Sequence, residues 1–326
     1  MNFGYHIIDY TRRCYMADSV VLVKKGKRPG RITISNWLWG YFFIGPVMLG
    51  ILVFSIGPVL FSFYMAMTQW DGLTNPVFIG FRNFVDMATD AMIGREFLNT
   101  LIYMIGTVPI GLSIAICVAV LLNSKIRGKS FYRVAFFLPV VTMPTAIAAV
   151  WRYLFNSQYG LVNYLFRPFG LNPQWLGDPN YIMSALVIVA IWGGIGYSAI
   201  ILIAGLQHIP RTYYEAADID GANPFHQFFR ITIPLLSPTI FFLLITSMIG
   251  AFKAFDLVFL ISGASLTTSG GPTTEAVRTM VFGIYQKGFQ LLRMGYAAAE
   301  AVLLFVIILV VTLIQFRLQK KFVFYD

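Results

Sequence analysis

Apolar residues in this chain come in runs too long for a soluble core. Stretches of about 20 residues, enough helix to cross a bilayer, are separated by short segments that collect Asp, Asn, Gly, Lys and Arg. Six spans follow, at about 37–68, 99–122, 134–155, 181–206, 233–261 and 294–316. The first contains no charge, is long enough to tilt or extend beyond the bilayer, and holds Pro46 and Pro58. The third is broken by Pro139 and Pro144. The pattern predicts an all-α polytopic membrane protein with about six transmembrane helices and a cytoplasmic helix pair between spans four and five. It divides the chain into an arm (1–36), a membrane domain (37–318) with its cytoplasmic loop at 207–232, and a short tail (319–326).

Charge sets the orientation. Sixteen Lys and Arg fall before span one, between spans two and three, between spans four and five, and in the tail; seven fall in the opposite loops. The more basic side is expected to face the cytoplasm, placing both termini there. The outer loops, 69–98 and 156–180, carry Trp70, Trp175, Asn, Pro and Gly and read as short interfacial helices and turns rather than a further domain. No inverted repeat is apparent.

Composition then narrows function. Hydrophobic residues make up 58% and charged ones 12%, against about 25% charged in soluble domains, and the mean hydropathy is +0.72. Ordinary soluble enzymes are excluded. The net charge of +10 sits at the ends of apolar runs, where it suits anionic lipid headgroups and not nucleic acid. Cys14 and Cys117 are far apart, the second inside an apolar run, so neither a disulfide framework nor a metal site is expected. No small-residue processing site follows the first run, so no cleavable signal is expected. The sequence carries no G-x-x-x-x-G-K-[ST] loop, HExxH or GxSxG, so neither catalytic residues nor a nucleotide site of its own are expected.

One short segment is unlike its surroundings. In "YYEAADIDGANPFHQFFRITIPLLSP", Tyr213–Pro238, three of the chain's 14 acidic residues fall within six positions: Glu215, Asp218 and Asp220. Pro210 suits a helix start, and Arg211–Ile219 predicts about two turns. Gly221 after Asp220 predicts a stop with positive φ, and Asn223–Pro224 an N-cap and first-turn proline. Two helices joined by a tight turn offer Glu215 and Asp218 to a partner's donors; a solvated, capped loop is the plainer alternative.

The spacing resembles the cytoplasmic signature of permease subunits of bacterial ATP-binding-cassette importers: E-A-A, glycine four positions after the second alanine, nine residues, then I-x-[LI]-P. It stands here as Glu215-Ala216-Ala217, Gly221, Ile231, Ile233 and Pro234, with isoleucine for the usual leucine. "RVAFFLPVVTMPTAIAAVWRYLFN", "AGLQHIPRTYYEAADIDGAN", "FDLVFLISGASLTTSGGPTTEAVRTMVFGIYQKGF" and "RMGYAAAEAVLLF" are similar to segments of the carbohydrate-uptake branch, and the likeness covers roughly residues 37–318. The chain looks like the first-permease type of the maltose and glycerol-phosphate importer family. The resemblance implies a non-catalytic subunit that couples through Glu215, Ala216, Ala217, Asp220, Gly221, Ile231 and Pro234 to a cytoplasmic ATPase. It implies a second permease forming a heterodimer, two ATPase subunits that bind ATP and Mg, an extracytoplasmic solute-binding protein, and a sugar, oligosaccharide or related solute. The chain itself would hold no cofactor.

Ionisable residues at membrane depth usually face a protein interior or a cavity. Lys253 and Asp256, three apart, are expected to share a helix face and either pair or stand on the solute path. Glu300 departs from the small residue expected between "GYAAA" and "AVLLF"; it can snorkel, pair (with Lys253, for example) or touch solute. Tyr197 and Ser198, after "GGIG" at 193–196, suit a site of closely approaching backbones. Apart from the resemblance, the spans equally suit a self-sufficient secondary transporter or channel.

Overall fold

The computed structural model describes residues 31–124, 126–263 and 271–322. Most of the basic arm (1–30), Lys125, residues 264–270 and the last four residues of the tail lie outside these, with the sequence readings that fall on them. The described residues form two compact units, divided between Pro58 and Val59. In the first, α1 (Arg31–Ile51) runs through Pro46 into a π-helical turn, Leu52–Ile56. The stretch Ser35–Ala66 is long and apolar enough to cross a membrane.

The second unit begins within α2 (Gly57–Ala66). A two-residue ribbon follows, β1 (Thr68–Gln69) antiparallel to β2 (Val77–Phe78), with Thr68 opposite Phe78. In the turn between them Asp71 accepts from the Thr74 and Leu73 amides and the Thr74 hydroxyl. These bonds, the Thr74 amide first, hold its carboxyl down to about 2. Asn83 of α3 (Arg82–Thr89) donates to the carbonyls of Ala66 and Thr68, tying the ribbon down.

The remaining helices are α4 (Ala91–Asn123), α5 (Lys129–Val141), α6 (Pro144–Leu154), α7 (Leu161–Phe166), α8 (Pro179–His208), α9 (Arg211–Ile219) and α10 (Pro224–Gln227). They are followed by α11 (Ile233–Phe252), α12 (Asp256–Ser262), α13 (Pro272–Val277), α14 (Met280–Tyr285) and α15 (Met294–Phe322). Two further π turns, Phe228–Thr232 and Gln286–Gln290, extend α10 into α11 and prolong α14. Among the described residues, five helical stretches meet the length and hydropathy of a span, and six do if α5 and α6 count as one bent span.

Prolines bend that pair as expected. The axes of α5 and α6 differ by 104° at Thr142–Met143. Met143, preceding Pro144, is extended (ψ 137°), because proline's Cδ disfavours a helical residue before it; Pro144 then occupies the first turn of α6.

α8 is the hub, packing against α4, α5, α11, α12 and α13. Lipid-embedded helices gain little from burying apolar side chains against each other, so small residues that admit close backbone approach decide where they meet. Ala115, Ala119 and Ala199 are fully buried or nearly so, among Leu112, Leu122, Leu202, Leu236 and Leu243. A second core gathers Tyr103, Phe155, Ile182, Leu186, Val258 and Phe282. α8 approaches α5 very closely at Gly196, where a Cβ would collide with the Phe136 carbonyl; Gly193, one turn away, faces open space.

Several helices run a few residues past the expected spans, α1 starting at Arg31, α5 at Lys129 and α15 ending at Phe322, and two boundaries differ more. The second span starts at Ala91, not residue 99, because Asp90 caps it by accepting from the Met92 amide. The fifth ends at Phe252, not residue 261, and α12 is a separate helix. Its freed end is held from outside, by the Thr279 hydroxyl donating to the Ala254 carbonyl.

Gly196→Val should lower thermal stability by about 2 kcal/mol or more, since overpacking displaces α5. Gly193→Val should stay within about 1 kcal/mol. Melting the two purified variants side by side checks this; equal losses would remove the close contact as the cause.

Candidate functional site

The polar segment after α8 folds as two arms at a fixed angle. α9 has the bounds expected from sequence, and a Schellman motif ends it: the Ala222 amide donates to the Ala217 carbonyl and the Gly221 amide to the Asp218 carbonyl. That closure requires Gly221 in the left-handed region, and its φ is +73°. Asn223 then caps α10, accepting from the His226 amide at 2.7 Å, with Pro224 in the first turn. Side chains lock the arms together. Gln227 donates to Asp218 Oδ1 at 2.6 Å and to the Ala222 carbonyl at 3.1 Å, and the Tyr214 and Thr232 hydroxyls are 2.9 Å apart.

The arms leave an apolar surface uncovered. Ile219 is 87% and Phe225 73% exposed, with Tyr213 and Phe229 exposed alongside; the Phe225 and Phe229 rings pack at 4.7 Å. Glu215, Ala216, Asp220 and Gly221 are exposed, whereas Ala217, Ile231 and Pro234 are half-buried. Among the described residues neither Glu215 nor Asp220 forms a salt bridge. The second arm continues through the π turn into α11, so Pro224–Phe252 is one helical rod of 29 residues, about 43 Å long at 1.5 Å per residue.

Of the residues expected on the solute path, Ser198 lines a cavity of about 170 Å³ between α4, α8 and α11, with Thr107 and Ser247 as further hydroxyls and Gly111, Gly194 and Gly250 leaving room. Tyr197, the preceding residue, is exposed and does not line it. Lys253 and Asp256 are exposed, but the expected shared face does not exist. The helix stops between them, and they form no ion pair.

Glu300 is placed differently from every expectation but pairing, and its base is not Lys253. It is fully buried, and its Oε2 lies 2.9 Å from Lys287 Nζ. The same ammonium lies 2.7 Å from Glu96 Oε2. Gly283 backs the cluster, where a Cβ would collide with the Glu96 carboxylate. The sequence signal for Glu96 and Lys287 was faint. Glu96 lay just outside the expected second span, and Lys287 read as one more outer-loop base. A lone acid within an apolar run does require a base somewhere, and Lys287 was an available one.

Residues 93–323 match the family described as "Binding-protein-dependent transport system inner membrane component". The chain is 36% identical over 295 residues to the probable ABC transporter permease protein YesP of Bacillus subtilis (strain 168), covering 89% of this chain and 93% of that one. It is 33% identical over 296 residues to the sn-glycerol-3-phosphate transport system permease protein UgpA of Agrobacterium fabrum (strain C58 / ATCC 33970), covering 90% and 99%. Its fold is similar to that of a chain in the crystal structure of a bacterial alginate ABC transporter bound to an alginate pentasaccharide-loaded periplasmic protein. There the TM-score is 0.77 at 22% identity, over 90% of this chain and 98% of that one. With the spans, the capped two-armed loop and these likenesses together, the chain belongs to the family of multi-pass inner-membrane permease components of binding-protein-dependent ABC importers.

Proposed function

We propose that the two-armed segment is the contact through which a cytoplasmic ATPase drives this permease, and that the cavity side of α4, α8 and α11 belongs to the path of a carbohydrate or polyol-phosphate solute. The observation that carries the first part is the continuity of the second arm with α11. A docked protein covering Ile219, Phe225 and the Glu215–Gly221 turn would act on a membrane helix with no flexible joint between. The Schellman closure, the asparagine cap and the Gln227 bridge resist relative motion of the arms. The exposed apolar side chains are those a partner would desolvate, with Glu215 at their edge available to its donors.

On this reading the transporter comprises this chain, a second permease, two ATPase subunits that hold ATP and Mg, and a solute-binding protein on the outside. Both termini and the two-armed segment face the cytoplasm, as the excess of Lys and Arg on that side supports. For the solute, support comes from the glycerol phosphate named for one relative and the alginate pentasaccharide held by the periplasmic protein in the complex of one structural neighbour. Hydroxyls of Ser198, Thr107 and Ser247, the nearby Tyr197, and the exposed Lys253 and Asp256 suit a polyhydroxylated ligand that is polar or charged. Glu300, buried against Lys287, is left out of the path.

Gly221→Asp should abolish solute-stimulated ATPase activity of the reconstituted complex while the permease still inserts and folds. Gly221→Ala should be milder, since an alanine in the left-handed region costs about 1–2 kcal/mol. Normal transport by the aspartate variant would overturn the docking assignment. Separately, Tyr197→Ala and Asp256→Ala should each raise the solute concentration for half-maximal transport several-fold; unchanged values for both would take these two residues off the path.

A further inference from the structure

The Glu96–Lys287–Glu300 cluster contains one acid more than it has bases. With all three ionised it would carry net charge −1 where side-chain exposure is 1%, 9% and 0%. Burying an uncompensated charge costs far more than burying a neutral hydrogen-bonded group. The hydrogen bonding has a matching gap. Lys287 serves Oε2 of each carboxylate, but Oε1 of both Glu96 and Glu300 is buried with no partner. The two carboxyl groups are also neighbours, since one ammonium lies within 2.9 Å of an oxygen of each. One proton held between them removes the excess charge and supplies the missing donor.

We propose that Glu96 and Glu300 share one bound proton, forming with Lys287 a neutral three-membered clamp. The clamp joins the outer ends of α4 and α15 through the π turn Gln286–Gln290. Lys287 is held in place by that turn, where the Leu291 amide reaches back to the Gln286 carbonyl and the Arg293 amide donates to Lys287's own carbonyl. The proposal does not rest on the docking assignment or on the identity of the solute.

Other charged and titratable groups face the cluster. From α15, the Tyr296 ring lies 5.8 Å from Lys287 Nζ and 4.6 Å from the Arg293 guanidinium. Tyr296 also donates to Asp90 Oδ2 at the start of α4. Burial pushes the Asp90 carboxyl up, but the Met92 amide, the Tyr296 hydroxyl and the charges of Lys287 and Arg293 together hold it below its ordinary value. Asp90 therefore stabilises the fold above the ordinary carboxylate range, and that contribution is lost on acidification. The shared proton acts in the opposite sense. The fold retains it where the unfolded chain's glutamates have already ionised, so stability falls as pH rises, with a limiting slope of one proton.

The test uses the full chain in lipid. Infrared spectra at neutral pH should contain a protonated-carboxyl stretch that Glu300→Gln removes. The melting temperature of the wild type should fall from pH 6 to pH 9, while that of Glu300→Gln stays flat, with Tyr296→Phe as a control that retains the wild-type slope. Lys287→Met should melt lowest at alkaline pH and recover on acidification, when both acids become neutral. Absence of the carboxyl band, or parallel pH profiles for wild type and Glu300→Gln, would overturn the proposal. So would stabilisation by sodium or potassium at fixed pH, which would put a metal cation in the proton's place.

Discussion

A bilayer gives helices almost no reason to prefer one another over lipid, because the tails are as apolar as leucine. The membrane domain is accordingly organised by what lipid cannot supply: intimate backbone contact and partners for polar atoms. At α8 the first dominates, with Gly196 against the Phe136 carbonyl and the buried alanines 115, 119 and 199. At the N-terminal end of α4 the second dominates. Asp90 takes the Met92 amide and the Tyr296 hydroxyl, Asn99 donates to the Glu275 and Arg278 carbonyls, and the Thr100 hydroxyl accepts from the Met280 amide. The short helices after α12 are thereby fixed to a long one, although none is long enough to be stable alone.

The buried glutamates and lysine extend that stitching at greater risk. Removing one member of a buried ionic set costs about 3–5 kcal/mol, yet the intact set need not outperform well-packed apolar residues. Its value lies in specificity: Lys287 has one place where its charge is matched, which selects one register of the π turn against α4 and α15.

How much of this was legible follows from how local each determinant is. The bounds of α9, the turn at Gly221 and the cap at Asn223 were readable because a proline, a glycine and an asparagine each act within four residues. The bend of the third span was readable for the same reason at Pro139 and Pro144. The stop at Phe252 was not, since no glycine or proline marks it and the Ala254 carbonyl is taken by Thr279, 25 positions away. Lys253 and Asp256 therefore looked like neighbours on one helix. The Glu96–Lys287 contact spans 191 positions, and nothing local tells a loop lysine from a buried one.

The π turn at Phe228–Thr232 has a consequence for geometry. The Ile233 amide bonds to the Phe228 carbonyl, five residues back, which amounts to one residue inserted into an α-helix. Each α-helical residue advances the azimuth by about 100°, and the wider turn absorbs the extra one, so Leu236 and Leu243 stand relative to Phe225 as if the rod were one residue shorter. A deletion within the turn would close it to plain α-helix and leave both stripes aimed as they are, whereas a deletion elsewhere in the rod would turn one stripe against the other by about 100°. Alignment across the rod is thus encoded by a count of residues.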